Sequence, residues 1–307
     1  MTYSRHRYAT FGIALTGDVD MMIVGCLLML LAMLAFPEHA AQAARSALTI
    51  WGLDVAPSLF PYMVLCRTLS SRLNGKRIPA HCVASALGML GGSPSGAAAL
   101  SSCAKKEKLT HERILCIAAL TGTLSPMFLL STVREWTKDG HMCRMLLAAH
   151  LLGALFAYAV TRLYLGKPAL SPCDAIADRD SGMPANPIVE SVQAILSVGG
   201  CIVFFSVLAS TLTVLCPGLS QGVTAILHAV MEAAGGMRAL AFSPFERRTQ
   251  AVLMAAASGF SGLSILSQNL IFLRPHGVNM RHLIALAILR AIGCAGAMVC
   301  LLTLIPV

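Results

Sequence analysis

Apolar runs dominate the chain and are separated by short polar, basic or proline-bearing junctions. The runs lie at 21–36, 55–69, 111–133, 141–165, 187–216 and 282–305. A helix of ~20 apolar residues crosses the hydrocarbon of a bilayer, so these runs predict membrane-crossing helices. Two further runs are interrupted in their middle. Residues 80–104 are broken at Gly91-Gly92-Ser93-Pro94-Ser95-Gly96, with Arg72, Lys76 and Arg77 before them and Lys105, Lys106 and Lys108 after. Neither arm is long enough to span alone, and basic flanks favour one and the same side. That pattern predicts a re-entrant hairpin with its tip inside the membrane. Residues 251–273, broken at Ser258-Gly259-Phe260-Ser261-Gly262 and flanked by Arg247, Arg248 and Arg274, predict a second one. Irregular backbone at that depth persists only where protein or a watery cavity surrounds it.

The remaining pattern fills in an organisation. Arg45, Trp51 and Asp54 make 38–54 an interfacial helix, and Pro57 and Pro61 predict a kink in 55–69. Ser125-Pro126 interrupts 111–133. Residues 166–186 hold Pro168, Pro172, Pro184, Asp174, Asp178 and Asp180 and read as a polar linker. The stretch 217–239, with Glu232, reads as interfacial. The chain thus divides into a first membrane half, 1–165, and a second, 187–307. Val64, Leu65 and Leu69 match Val207, Leu208 and Leu212 at one fixed offset, and each half places a glycine-broken segment after this span. With Arg5 and Arg7 inside, counting passes makes the halves inverted, with hairpins entering from opposite faces, as in many secondary transporters. Arg247, Arg248 and Arg274 oppose that count, because they would flank an outside hairpin.

Composition supports the membrane reading. The 307 residues are 56% hydrophobic and 12% charged, against the roughly 25% charge of soluble domains. Mean hydropathy is +0.73. The net charge of +9 sits at segment ends, as topology signals and headgroup contacts. Nothing in it resembles a nucleic-acid surface. The 11 cysteines include no Cys-x-x-Cys pair and read as small apolar packing residues. No metal site or cofactor is expected. At the N-terminus, 21–36 followed by Ala41-Gln42-Ala43 fits either a cleaved signal peptide or an uncleaved anchor, and the anchor is the favoured reading.

The candidate chemistry is that of neutral polar groups. At the first tip, Gly92 and Gly96 permit close backbone approach, Pro94 stops the helix, and Ser93 and Ser95 add hydroxyls. A second arm opening at Ser95 would aim its free N–H groups at the tip. Around the next break stand Thr123, Ser125 and Pro126, and Pro126 frees a carbonyl for a side chain, cation or water. In the second half Ser261, Gly262, Ser264, Gln268 and Asn269 follow the break, and the two amides should face the bundle. Each group has a plainer reading, as a tight turn or as interhelical hydrogen bonding. His150 and Arg290 lie inside spans: His150 reads as a satisfied bundle histidine, with a proton relay the alternative, and Arg290 as a snorkelling arginine, with an anionic solute or Glu232 as the alternative partner. No P-loop, His-Glu-x-x-His or Gly-x-Ser-x-Gly occurs, and an enzyme is not expected.

Several elements in order resemble a known family. Trp51-Gly52-Leu53-Asp54-Val55-Ala56-Pro57-Ser58-Leu59-Phe60-Pro61 is similar to the double-proline start of the YlbJ-type sporulation integral membrane proteins. Gly92-Ser93-Pro94-Ser95-Gly96-Ala97 resembles their Gly-x-Pro-x-Gly-Ala element. Ser125-Pro126-Met127-Phe128, Glu232 with Gly236, and Phe260-Ser261-Gly262-Leu263-Ser264 with Gln268 resemble later ones. Ala98 and Ala234 stand where that family often carries Lys and Thr. The resemblance implies nucleoside-recognition "Gate" elements, as in concentrative nucleoside transporters and the ferrous iron transporter B, a role in spore cortex formation, and a retained first span.

The expectation is therefore an all-α, multi-pass transmembrane bundle in the cell membrane, with two related halves and two re-entrant hairpins. It would bind or move a small polar solute, with the bilayer as its other partner and a homo-oligomer allowed. A membrane scaffold for spore-envelope assembly is the alternative.

Overall fold

The computed structural model describes residues 17–73, 79–166 and 186–304. Arg5, Arg7, Lys76, Arg77 and positions 167–185 of the linker lie outside the described residues. Helix α1, Gly17–Ala35, precedes a first set of elements. Helix α2, Pro37–Thr49, passes through a π turn, Ile50–Val55, into α3, Ala56–Leu73. Helices α4, Ala80–Gly91, and α5, Ser95–Glu107, form a hairpin and pack along each other. Helix α6, His111–Thr121, breaks, and the helix resumes at Pro126 through a π segment, Phe128–Val133, into α7, Arg134–Thr137. Helix α8, Gly140–Leu165, follows.

The second set repeats that order. Helix α9, Pro187–Leu215, is the long helix, with Asn186 capping its first turn through Ile188 N–H at 2.9 Å. Helices α10, Gln221–Met231, and α11, Ala233–Ala241, form a hairpin. Helices α12, Arg247–Phe260, and α13, Gly262–Leu273, make a broken helix, which a 3-10 turn, Arg274–His276, leads into α14, Met280–Leu304. The equivalent long helices α8 and α14 pack tightly against each other. Their crossing is glycine on glycine: a Cβ on Gly293 would lie 3.0 Å from the Gly153 Cα. The interval from Gly153 to Gly293 also separates Gly140 from Met280, the starts of the two helices, and Gly96 from Gly236 in the two hairpins.

This is an all-α multi-pass membrane bundle. Pro37–Leu69, Gly140–Leu165, Pro187–Leu215, Arg247–His276 and Met280–Leu304 are long and apolar enough to cross a membrane. Large apolar side chains also stand exposed on the outside, among them Leu34, Leu163 and Leu304 at 76%, 83% and 77%. Water would penalise such a surface, whereas lipid does not.

Three segments differ from the sequence reading. The expected interfacial helix 38–54 and span 55–69 are one continuous segment, because the π turn accommodates Pro57 without a break. Trp51 and Asp54 do not face headgroups: Trp51 Nε1 donates to the Ile195 carbonyl at 3.1 Å, and Trp136 Nε1 donates to Asp54 at 3.1 Å. The expected hairpin at 251–273 is instead a single broken pass. Its break is one residue, Ser261 (φ 67°), whose N–H still donates to the Ala257 carbonyl at 2.8 Å, and α13 packs on α5, α9 and α14 rather than back along α12. The fold-back lies at 221–241, expected to be interfacial. There Gly236 lets α11 close on α10 at Ala229, where a Cβ would clash with backbone.

The hairpins open at opposite ends of the bundle. At the mouth of α4–α5, Ala80 N–H and His81 bind Glu107, both at 2.7 Å, and Arg113 at the start of α6 reaches His81 at 2.8 Å. The end of the second broken helix joins them, with Ser101 Oγ 3.0 Å from His276 Nε2. At the mouth of α10–α11, Gln250 on α12 donates to the Leu240 and Ala241 carbonyls, both at 2.8 Å, and Arg247 pairs with Asp139 at 3.1 Å. Arg247 and Arg274, which the sequence reading set on one face, therefore sit at opposite ends of one broken helix.

Asp139 is the N-cap of α8, accepting from His141 and Met142 N–H at 2.9 Å each. The Met142 N–H above all, then the His141 N–H and the Arg247 charge, hold its carboxyl below the ordinary Asp range. A depressed carboxylate stabilises the fold above ~pH 4 and loses that contribution as pH falls through its lower folded value. Asp139→Ala should cost ~1 kcal/mol, a Tm loss of a few degrees at pH 7, and the difference from wild type should shrink below ~pH 4.

Candidate functional site

Glycine spacing sets the first tip against the first break. Gly88, Gly92 and Gly96 recur every fourth residue through the α4–α5 turn. A Cβ on Gly88 would lie 2.6 Å from Thr121 Cγ2, one on Gly92 2.6 Å from Ser125 N, and one on Gly96 2.5 Å from the Thr121 carbonyl oxygen. Gly92 also adopts φ 66°, which favours glycine. With no side chains in the way, Ser93 N–H donates to the Thr123 carbonyl at 2.8 Å, and Ser93 Oγ donates to Asn269 Oδ1 on α13. The tip is thereby tied to both broken helices.

The second tip is built around one carboxylate. Glu232 is the single residue between α10 and α11, and it is 2% exposed. Its oxygens accept from Ala234 N–H at 2.8 Å and Gly235 N–H at 2.5 Å, two donors that the start of α11 would otherwise leave unpaired. The tip rests on Gly262, where a Cβ would lie 2.9 Å from Ala233 N.

Both tips, the first break and α13 meet around a cavity of ≈ 40 Å³. Ser93, Ser125, Glu232, Ser264 and Gln268 give it polar walls, and Val55, Phe128, Val198 and Ile202 give it apolar ones. Ser264 Oγ and Gln268 Oε1 are buried there without a hydrogen-bond partner. Buried polar atoms are nearly always paired, so these two are free to bond a water or another polar group in the cavity. Outside the first tip lies a second space, a crevice of ≈ 1160 Å³ between α3, the α4–α5 hairpin and α9. Its rim carries Arg67, Arg72, Lys106 and Glu190, and its wall includes Pro94 and Ser95. Ser95 Oγ is also buried without a partner. Ser93 thus faces the inner cavity while its neighbours Pro94 and Ser95 face the crevice, so the tip is the partition between the two.

Of the residues expected from sequence, Ser93, Ser125, Glu232, Ser264 and Gln268 line the cavity, Asn269 binds the tip, and Pro94 and Ser95 face the crevice. Gly92, Gly96 and Gly262 act by close approach. Others serve the backbone: Ser125 Oγ accepts from Phe128 N–H at 3.2 Å, Thr123 Oγ1 donates to the Leu120 carbonyl at 3.4 Å, and Ser261 Oγ to the Ser258 carbonyl at 2.9 Å. Pro126 starts the resumed helix, where it loses no hydrogen bond. The main-chain groups at the first tip are less available than the sequence suggested, because Gly96 and Ala98 N–H donate to the Gly92 and Pro94 carbonyls at 2.9 and 3.0 Å. Sequence reasoning missed Gly88 and did not place Thr121 in the site, although Thr121 Oγ1 is buried and unpartnered. The four-residue glycine spacing was the signal for Gly88.

The chain is 23% identical over 288 aligned residues to the sporulation integral membrane protein YlbJ of Bacillus subtilis (strain 168), covering 76% of this chain and 71% of that protein. No family model matches the chain, and no solved structure matches it.

Proposed function

We propose that this membrane protein binds a small polar solute between its two hairpin tips and moves it across the cell membrane by separating them. The halves are inverted, each contributing one re-entrant hairpin and one broken helix. Their shared element order, the glycine crossing of α8 and α14 and the opposite mouths of the hairpins support that plan, in which substrate sites lie between repeats at the bilayer midplane. The observation that carries the reading is the cavity with the unpartnered Ser264 and Gln268. At ≈ 40 Å³ it is near the size of a water, whose share of liquid is ~30 Å³. The site is closed in this arrangement, and a nucleoside-sized solute requires the first tip to retract toward the crevice. The similarity to a protein named for sporulation supports a role in spore formation.

The test is thermal unfolding of the detergent-purified protein against a panel of nucleosides, amino acids and sugars. A ligand at 100 times its Kd adds ~2.7 kcal/mol, a Tm rise of ~5–10 °C. Ser264→Ala and Gln268→Leu should abolish that rise; Ser264→Ala should leave the ligand-free Tm intact, since its hydroxyl has no protein partner, whereas Gln268→Leu also loses the amide contact to Cys201. If no solute in the panel shifts the wild-type Tm and Gln268→Leu supports sporulation fully, the scaffold reading replaces this one.

A further inference from the structure

Among the described residues Arg290 is the one buried arginine or lysine, and it does not line the cavity. It stands within the apolar helix α14, is 2% exposed, and makes no ion pair among the described residues. Nor does it snorkel to a surface. A guanidinium in such a place is costly unless negative charge surrounds it.

That charge comes from two helix ends. Arg290 Nε donates to the Gly259 carbonyl at 3.1 Å, in the last turn of α12. Its Nη1 lies beside Gly122, the C-cap of α6, where a Cβ would be 3.5 Å away. Each helix C-terminus leaves carbonyls without intrahelical partners and carries roughly half a negative charge. One end gives the guanidinium a hydrogen bond and the other lies beside it, so both place partial negative charge near it. In broken-helix transporters, unwound carbonyls and half-helix C-termini commonly coordinate a metal cation.

We infer that Arg290 is a tethered cation, holding the C-terminal ends of both broken helices together in the place where a transporter of this plan would bind sodium. The equivalent position of the other half supplies no permanent charge: His150 stands as far along α8 as Arg290 along α14, and its Nδ1 pairs with Ser258 Oγ at 3.2 Å. One arginine serves both breaks, and the assembled core needs no bound metal ion at this junction. The tether stands on helix-end geometry, and the comparison with a sodium site rests on the proposed transporter plan.

The experiment is unfolding of purified wild type, Arg290→Ala, Arg290→Met and Arg290→Lys in sodium, potassium, choline and methylguanidinium chlorides. Wild type should give one Tm in all four salts. Arg290→Ala should lose ~5–15 °C in choline and regain several degrees in millimolar methylguanidinium or sodium, with no matching gain in wild type. Arg290→Lys should lie between wild type and Arg290→Met. Arg290→Ala as stable as wild type in choline overturns the inference, and so does a loss that no cation restores. If Arg290→Ala cannot be purified, the conservative pair decides: folded Arg290→Lys with unfolded Arg290→Met supports the tethered cation, and Arg290→Met at least as stable as Arg290→Lys overturns it.

Discussion

Gly96→Leu is expected to yield no folded protein, or protein with a Tm at least ~10 °C below wild type. Even the first carbon of the new side chain would lie 2.5 Å from the Thr121 carbonyl oxygen and 3.0 Å from the Gly88 Cα. Both neighbours are backbone, so neither can rotate away. Overpacking costs ~1–3 kcal/mol where side chains can adjust, and here α4, α5 and α6 must separate. Separation also breaks the Ser93 contacts to Thr123 and Asn269, so the loss exceeds that of one misfit. Gly200→Leu on α9 is the control, because nothing lies within 4 Å of a Cβ there. It should leave Tm unchanged or raise it slightly, since leucine is the better helix former by almost ~1 kcal/mol. The comparison is made by size-exclusion profile and thermal unfolding in one detergent.

Glu232→Ala should be nearly as damaging, for an electrostatic reason. The carboxylate is the acceptor for two N–H groups at the start of α11, at a tip 2% exposed. Removing it leaves both donors without a partner where no bulk water reaches. An unpaired buried donor costs ~1–3 kcal/mol, so two predict a Tm fall of roughly 5–15 °C. Glu232→Gln keeps one carbonyl acceptor and should fall between. A Glu232→Ala protein as stable as wild type would mean that the second tip is not enclosed as described.

Much of the architecture was legible in the sequence because lipid forbids ambiguity in long apolar runs. The runs at 141–165, 187–216 and 282–305 became α8, α9 and α14 almost to the residue. The break at Gly92–Gly96 was legible because Pro94 and the glycines cannot continue a helix. The second hairpin was not. Its turn is a single residue, Glu232, without proline, and its closeness depends on Gly236 meeting Ala229 across the turn. A lone carboxylate in an apolar stretch reads as interfacial until its oxygens are seen to cap a helix. Conversely, Ser258–Gly262 is richer in helix breakers, yet the chain runs on through it because Ser261 takes a left-handed conformation and the next residue is glycine. Turn direction at such a break depends on what packs on either side, here α14 against α12 and α5 and α9 against α13, and no local pattern records that. Arg290 was misread for the same reason. Its partner is the Gly259 carbonyl and its neighbour the end of α6 at Gly122, both distant in sequence, and carbonyls leave no mark on residue identity.

The most direct test of two hairpins entering from opposite faces is sided labelling of single cysteines in a cysteine-free background in membrane vesicles. Lys108, Arg274, Lys138 and Arg248 are all exposed and lie at the helix ends that matter. Cysteines replacing Lys108 and Arg274 should react with an impermeant reagent from one side, and those replacing Lys138 and Arg248 from the other. Labelling of positions 248 and 274 from the same side would contradict the account, because 247–276 would then fold back instead of crossing and the two tips could not meet.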